Sequence, residues 1–173
     1  AILILTLAWT LKSMTDSLGA AEYVSDVVAN SAAGLQQLLP AIIFIVAAFL
    51  AFATGTSWGT FGILIPICIA VFPAAEPLRI ISISACMAGA VCGDHISPIS
   101  DTTIMASAGA ECKHVHHVSS QLPYALTVAT VSFITFLVAG FTQQLGIFGS
   151  AVVSWICGIS LLAGALYVLK KKF

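Results

Sequence analysis

Long stretches of the chain contain no charged side chain, and polar segments divide them into helical units. No Asp, Glu, Lys or Arg occurs between Val27 and Ala75, or between Val118 and Leu169. An α-helix needs about 20 apolar residues to cross a hydrocarbon core that is roughly 30 Å thick. Short strands of alternating polarity, which a membrane barrel requires, are missing from the sequence. The pattern predicts an all-α integral membrane protein, a polytopic helical bundle.

The unit over residues 38–72 is interrupted in its middle. The apolar run "LLPAIIFIVAAFLAFA" leads into "TGTSWGTFG" (54–62) and resumes as "ILIPICIAVF". Sixteen residues give a helix of about 24 Å, which is shorter than the membrane core. We therefore expect the polar stretch to lie at membrane depth. Length alone leaves two forms open, a re-entrant hairpin or a broken span.

A second interruption falls within residues 79–110. A helical piece of about 20 Å, "RIISISACMAGAV", precedes "CGDHISPISDTT" (92–103), and "IMASAGA" follows. Pro98 disfavours an unbroken helix because it lacks an N–H and restricts Ser97. We expect one discontinuous crossing, broken between Gly93 and Thr103 and approached by the 54–62 interruption. Four small residues before the break are typical of closely packed membrane helices: Ala85, Ala88, Gly89 and Ala90.

The two ends of the chain suggest its placement. Residues 1–11 end an apolar helix, which is predicted to break near Thr15–Gly19 and to continue as an amphipathic piece, and a solvated loop after a span is the alternative. Two ordinary spans are expected near 122–143 and 147–169, after a polar loop over 111–121. The chain ends in Lys170–Lys172, and the excess of positive charge on cytoplasmic segments predicts a cytoplasmic C-terminus in the cell membrane. The loop 111–121 is then cytoplasmic too.

Composition agrees with a membrane protein and excludes some partners. Of 173 residues, 60% are hydrophobic and 8% are charged, with a mean hydropathy of +1.08. The net charge of −1 provides no basic surface for nucleic acid. Lipid is the expected partner, together with any transported ion, and a homodimer is compatible with this pattern. Because Ala1 lies inside an apolar run, we interpret residues 1–173 as the C-terminal part of a longer transporter domain whose N-terminal half is absent.

The candidate chemistry lies in the 93–103 break. Ionisable side chains at membrane depth are costly and usually serve a function, and broken backbone survives there only when it is buried or lines a cavity. Two carboxylates, Asp94 and Asp101, would then meet freed carbonyls and four hydroxyls, those of Ser97, Ser100, Thr102 and Thr103. Hard oxygens of this kind suit a small alkali cation such as Na⁺. Asp101 has an alternative role, capping the resumed helix.

The interruption at residues 54–62 offers uncharged hydroxyl oxygens. Thr54, Gly55, Thr56 and Ser57 combine hydroxyls with a flexible backbone position. Two broken helices that meet in the membrane form the binding sites of secondary transporters. Simple close packing of a glycine-rich turn is the alternative.

Histidines invite two other hypotheses. "HVHH" (114–117) with Cys112 has some features of a zinc site, but no second ligand pair is evident, so no transition-metal site and no cofactor are expected. A solvated loop explains the motif more simply. His95 and His114 are candidates for pH sensing, since imidazole titrates near physiological pH.

Three segments resemble the C-terminal half of NhaC-type Na⁺/H⁺ antiporters, within the larger ion-transporter superfamily. They are "LAWTLKSMTDSLGAAEYV", "ATGTSWGTFGILIPI" and "CGDHISPISDTTIMASAGAECKHVHHVSSQLPYALT". The resemblance implies half of an inverted-repeat transporter with broken helices or hairpins at its site. It implies ion-site roles for Asp94, Ser97, Asp101 and Thr102, and for Thr54, Gly55, Thr56 and Ser57. The loop 112–117 departs from the family, which tends to be acidic there.

The leading hypothesis is a secondary transporter, not an enzyme, that exchanges Na⁺ for H⁺. Competition of Na⁺ and H⁺ for Asp94 and Asp101 would couple the two fluxes. Sodium-coupled exchange of organic anions, of the malate/lactate type found in the family, is the alternative within transporters. An intramembrane aspartyl protease and an ion channel are alternatives from other classes.

Overall fold

A computed structural model describes residues 33–172 and, ahead of them, only positions 6, 10, 13, 14, 17–19, 23 and 26. Of the predicted break near Thr15–Gly19, residues 15 and 16 lie outside the described residues, and Leu18 and Gly19 form a turn with Gly19 at a φ of +66°. Within 33–172 the chain forms six α-helices and no strand. They are α1 (Ala33–Thr54), α2 (Ser57–Val71), α3 (Pro77–Ile96), α4 (Asp101–Gly109), α5 (His114–Phe141) and α6 (Gly146–Lys172), with a 3₁₀ turn at Gln143–Leu145.

Four of these helices are long and apolar enough to cross a membrane, namely α1, α3, α5 and α6. Large apolar side chains cover their outer faces and that of α2. Trp58 and Trp155 are each 73% exposed, and Phe148 is 86% exposed. Such side chains are at home against lipid tails, so the predicted all-α membrane architecture is confirmed.

Helices α1 and α3 run parallel and touch through glycines. The Phe44 carbonyl of α1 lies over Gly89, and one turn further on the Ala48 carbonyl lies over Gly93. A Cβ at either glycine would overlap the facing carbonyl, so this close approach requires glycine. The predicted small-residue surface is confirmed: Ala85, Gly89 and Ala90 are buried in this contact, and Ala88 lines a cavity.

The chain reverses direction between α1 and α2. At the turn, Gly55 lies beside Ile99, just past the end of α3. Further along α2, the Cys68 thiol is 4.0 Å from the Ser82 carbonyl oxygen, near the start of α3. Helix α2 is therefore antiparallel to α3, and α1 is parallel to it. Gly55 permits the reversal with a φ of +67°. Residues 38–72 therefore form a helical hairpin and not a span that is broken but continues in one direction.

The interruption in this hairpin is narrower than predicted. Helix α1 has 22 residues, about 33 Å, because it begins at Ala33 and includes two polar glutamines that the apolar run omitted. Pro40 is inside it. Helix α2 resumes at Ser57, so most of "TGTSWGTFG" is helical. The length argument for placing the turn at membrane depth is therefore wrong, since α1 alone has the length of a crossing.

The break after α3 is also shorter than the 93–103 range. Helix α3 has 20 residues, about 30 Å, and continues through Asp94 and His95. It ends where Pro98 holds Ser97 in an extended conformation, with φ −71° and ψ 127°. The interruption is confirmed, but it covers only residues 97–100. Because α3 can cross a membrane by itself, α4 is not needed to complete the crossing, which corrects the prediction.

Helix α5 begins earlier than expected. It starts at His114, so most of the predicted loop 111–121 is its first two turns. Histidine and serine are tolerated in a helix, whereas hydropathy marks only its apolar part. Helix α5 returns antiparallel along α1, with Phe136 and Phe44 rings 5.6 Å apart and Gly140 under the Gln37 carbonyl. Helix α6 then follows the 3₁₀ turn.

We expect Gly93→Ala to destabilise the protein, because its methyl group would overlap the Ala48 carbonyl. Overpacking of this kind costs about 1–3 kcal/mol. Gly62→Ala is the matched control, since nothing lies within 4 Å of the added atom. Thermal unfolding of the two purified variants in detergent compares them. Equal stability of Gly93→Ala and the parent protein would contradict the glycine contact between α1 and α3.

Candidate ion-binding site

Ser97 joins the two interruptions of the fold. It is fully buried, and its hydroxyl donates a 2.7 Å hydrogen bond to the Phe52 carbonyl in the last turn of α1. The Ile99 N–H donates to the same hydroxyl at 3.4 Å. A Cβ at Gly55 would lie 2.9 Å from the Ile99 carbonyl oxygen. The expected approach of the two interruptions is confirmed, and Ser97 is the side chain that connects them.

Carbonyls freed at the end of α3 are also taken up by side chains. The His95 carbonyl accepts hydrogen bonds from the Thr103 hydroxyl at 3.2 Å and the Gln121 amide at 2.9 Å. The Pro98 carbonyl accepts from His114 Nε2 at 2.7 Å. The expectation that freed carbonyls would gather as cation ligands is therefore corrected. Ser97 and Thr103 use their hydroxyls to satisfy backbone oxygens.

A separate polar group surrounds Asp94. Its side chain is 8% exposed, and Oδ1 accepts a 2.6 Å hydrogen bond from the Ser100 hydroxyl. Ser100 is fully buried, and its oxygen lies 2.7 Å from Thr102 Oγ1. The turn at 97–100 brings Ser100 back over the last turn of α3, where Asp94 lies. Three predicted site residues thus form one connected group of carboxylate and hydroxyl oxygens.

Other predicted site residues lie outside the Asp94 group. Asp101 is exposed in the first turn of α4, where its charge favours the helix dipole, and the N-cap position belongs to Ser100. Thr54 is exposed and donates back to the Leu50 carbonyl. Three more lie at the hairpin turn: Gly55, Thr56 and Ser57. The turn supports the site through Ser97 and Ile99.

The two histidines proposed as pH sensors have different surroundings. His95 is exposed and lines a cavity. His114 uses both ring nitrogens, with Nε2 on the Pro98 carbonyl and Nδ1 3.1 Å from Ser107 Oγ. Ser107 is also 2.8 Å from the Ile104 carbonyl oxygen. Because Ser107 has one hydroxyl proton, it can donate either to the Ile104 carbonyl or to His114 Nδ1.

A cavity of about 620 Å³ opens beside the Asp94 group, between α3, α4 and α5. Much of its wall is apolar, formed by residues such as Phe44, Val91 and Val128. Its polar or titratable side chains are Thr102 and Thr103 of α4, Cys92 and His95 of α3, and His117, Gln121, Tyr124 and Ser132 of α5. Thr102 therefore belongs both to the group around Asp94 and to the cavity wall.

Sequence reasoning named His114 of α5 but missed the rest of the helical face to which it belongs. His114, His117, Gln121, Tyr124 and Val128 recur at intervals of three and four residues, which places them on one helical face. That face meets the end of α3 and the cavity. The spacing was visible in the sequence, but it carries meaning only if the stretch beginning "HVHHVSSQ" is a helix.

The arrangement described above occurs in a chain whose first 141 residues match the model of the Na⁺/H⁺ antiporter family. The chain belongs to this family. The resemblance noted from the sequence is confirmed at family level, and the NhaC type stays a prediction. No solved structure gives a significant match.

Antiporters are also found among the similar proteins. A protein of Haemophilus influenzae described as uncharacterized is 46% identical over 99% of this chain and 32% of its own length. The malate-2H⁺/Na⁺-lactate antiporter of Bacillus subtilis is 34% identical over 62% of this chain and 24% of its own length. The arginine/ornithine antiporter of Halobacterium salinarum is 33% identical over 65% of this chain and 24% of its own length. The chain thus spans a third or less of the length of these relatives.

We expect Ser97→Ala to destabilise the protein, because the part-buried Phe52 carbonyl would lose the donor that the fully buried Ser97 supplies. An unsatisfied buried polar group costs about 1–3 kcal/mol. Ser119→Ala removes an exposed hydroxyl that bonds within its own helix, so its effect should stay within about 0.5 kcal/mol. Unfolding of the purified variants measures both. Equal stability of the two would mean that the Ser97 bond does not hold the interruptions together.

Proposed function

We propose that the protein is a Na⁺/H⁺ antiporter in which Asp94 alternately binds Na⁺ and H⁺. The observation that carries the proposal is the buried Asp94 carboxyl with its hydroxyl neighbours, Ser100 and Thr102. Among the described residues, no cationic side chain pairs with Asp94. Membership of the family supports the same activity.

The coupling follows from the electrostatics of a buried carboxyl. Desolvation disfavours its charged form, and a bound cation favours it. Either a proton or a Na⁺ ion neutralises the charge, and one excludes the other. If the site can switch between facing the two sides of the membrane only when its charge is neutralised, the protein exchanges Na⁺ for H⁺.

The remaining ligands for Na⁺ have to come from elsewhere. Asp94 supplies carboxylate oxygens, which suit a hard cation, and the Ser100 hydroxyl donates to one of them. This chain covers 32% of the length of the first relative and 24% of the second. We assign the chain to the C-terminal part of an inverted-repeat transporter, and the other repeat and water complete the coordination. Asp101 is exposed and does not belong to the hydrogen-bonded group around Asp94, so it is not assigned as a ligand in this arrangement.

We also assign the orientation and the pH response. Residues 170–172 are lysines, so the positive-inside rule places the C-terminus in the cytoplasm of the cell. With α5 and α6 both crossing, the segment 110–113 lies on the same side. His114, next to that segment, holds the Pro98 carbonyl of the break. Its protonation is therefore well placed to change the position of the break with cytoplasmic pH.

A second candidate function is sodium-coupled exchange of a small organic acid. The cavity of about 620 Å³ favours it, because an ion site does not need that volume and small solutes bind in cavities of roughly 300–1,000 Å³. His95 and His117 offer donors to a carboxylate. The names of two relatives, the malate-2H⁺/Na⁺-lactate and arginine/ornithine antiporters, state small organic substrates.

The structure gives less support to the two other classes. An intramembrane aspartyl protease needs two carboxyls that share a site, whereas Asp101 is exposed and outside the hydrogen-bonded group of Asp94. A channel would need no titrating group. Peptide cleavage and passive conductance, measured beside Na⁺-driven proton flux in vesicles, separate these classes from an antiporter.

We expect Asp94→Asn in the full-length protein to abolish Na⁺-dependent proton movement in vesicles. The amide is nearly isosteric but holds neither a proton nor a full negative charge. Asp94→Glu keeps the charge and moves it by about one methylene, so it should shift the pH profile or the apparent Na⁺ affinity. Repeating the same assay with malate or lactate added tests the organic-acid function.

The matched control is Glu76→Gln, which changes an exposed carboxylate in the same way at the start of α3. It should retain the parent rate. Asp101→Asn should lower the apparent Na⁺ affinity less than any change at Asp94. Normal exchange by well-expressed Asp94→Asn would show that another group couples the ions.

A further inference from the structure

A continuous row of hydrogen-bonded oxygens leads from Asp94 to the cavity. Asp94 Oδ1 and Ser100 Oγ are 2.6 Å apart, and Ser100 Oγ and Thr102 Oγ1 are 2.7 Å apart. Asp94 is 8% exposed and Ser100 is fully buried, whereas Thr102 is exposed and lines the cavity. The row therefore begins at a withdrawn carboxyl and ends at a surface that water can reach.

Each hydroxyl in this row can donate one hydrogen bond and accept others. When Asp94 is ionised, Ser100 donates to it and Thr102 donates to Ser100. When Asp94 is protonated, it donates to Ser100, Ser100 donates to Thr102, and Thr102 donates towards the cavity. Both arrangements satisfy every contact, so the row accommodates both states of the carboxyl by reversing its donors.

We propose that Ser100 and Thr102 relay protons between Asp94 and the cavity. The inference rests on the proposed function, in which Asp94 exchanges a proton for Na⁺. In the outward step the Asp94 proton passes to Ser100 Oγ, the Ser100 proton passes to Thr102 Oγ1, and the Thr102 proton passes to a water in the cavity. Asp94 is left ionised and one hydronium ion is formed, so proton and charge balance.

The titratable groups around the row lie mainly at its cavity end. His95 of α3 and His117 and Tyr124 of α5 line the same cavity as Thr102. Asp101 is the chain neighbour of Thr102, and His114 bonds the Pro98 carbonyl. Helix α1 has no titratable side chain, and α2 has only Cys68. Imidazoles next to the exit can accept the proton that leaves Thr102.

A role for Thr102 as a Na⁺ ligand makes a different prediction. A ligand is needed whenever Na⁺ binds, including the exchange of Na⁺ for Na⁺, in which no proton moves. A relay is needed only when Asp94 gains or loses a proton. Comparing the two kinds of exchange therefore distinguishes the roles.

The experiment uses Thr102→Val in the full-length protein in vesicles, with Na⁺ as the probe. Valine keeps the shape and removes the hydroxyl. We expect Na⁺-driven proton flux to fall by about a hundredfold, in the range that a positioned proton-transfer group contributes. Exchange of labelled Na⁺ for Na⁺ at alkaline pH should stay at the parent rate. Added imidazole buffer, a small proton carrier, should partly restore the flux.

Ser100→Ala should behave in the same way. Ser100 is the N-cap residue of α4 but makes no side-chain capping bond, so its loss does not remove a cap. Thr127→Val is the matched control, because Thr127 does not line the cavity and bonds the Pro123 carbonyl of its own helix. It should retain both kinds of exchange.

Three results would overturn the relay. They are normal proton flux in Thr102→Val, equal loss of both kinds of exchange, and loss of proton flux that imidazole does not restore. Failure of the proposed function looks different, because the parent protein itself would then show no Na⁺-driven proton flux.

Discussion

A helix that ends inside a bundle leaves backbone carbonyls that need donors, and the site of this protein depends on how that need is met. An unsatisfied buried polar group costs about 1–3 kcal/mol. Ser97, Thr103, Gln121 and His114 supply the donors around residues 95–98 and at the end of α1. With the carbonyls satisfied by these side chains, Ser100 is free to bond the Asp94 carboxyl.

Close helix contact makes this arrangement geometrically possible. Glycines of α3 let α1 approach until its carbonyls touch the α3 backbone, which sets the end of α1 beside the break. Gly55 then turns the chain back along α3. The same elements that hold the bundle together thus place a carboxyl, two hydroxyls and a cavity next to one another, and these are the parts that an exchanger of ions requires.

Much of this was predictable from residue patterns, and the failures have physical causes. The membrane class, the two interruptions and their approach follow from apolar runs punctuated by Gly55 and Pro98, which act locally. Helix limits at Ala33 and His114 did not follow, because glutamine and histidine are helix-compatible yet invisible to hydropathy. Ser97 and Thr103 bond backbone carbonyls, whereas Ser100 bonds the Asp94 carboxyl. Which of these partners a hydroxyl meets depends on the direction it faces after folding, and the spacing of residues in the sequence does not reveal that direction.

The central claim is that Na⁺ and a proton compete for one buried carboxyl. Proton release on Na⁺ binding tests it most directly, measured with a pH indicator on purified full-length protein in weakly buffered detergent. The account predicts saturable acidification when NaCl is added and none when choline chloride is added at the same ionic strength. Saturable Na⁺ binding without any release of protons would contradict it.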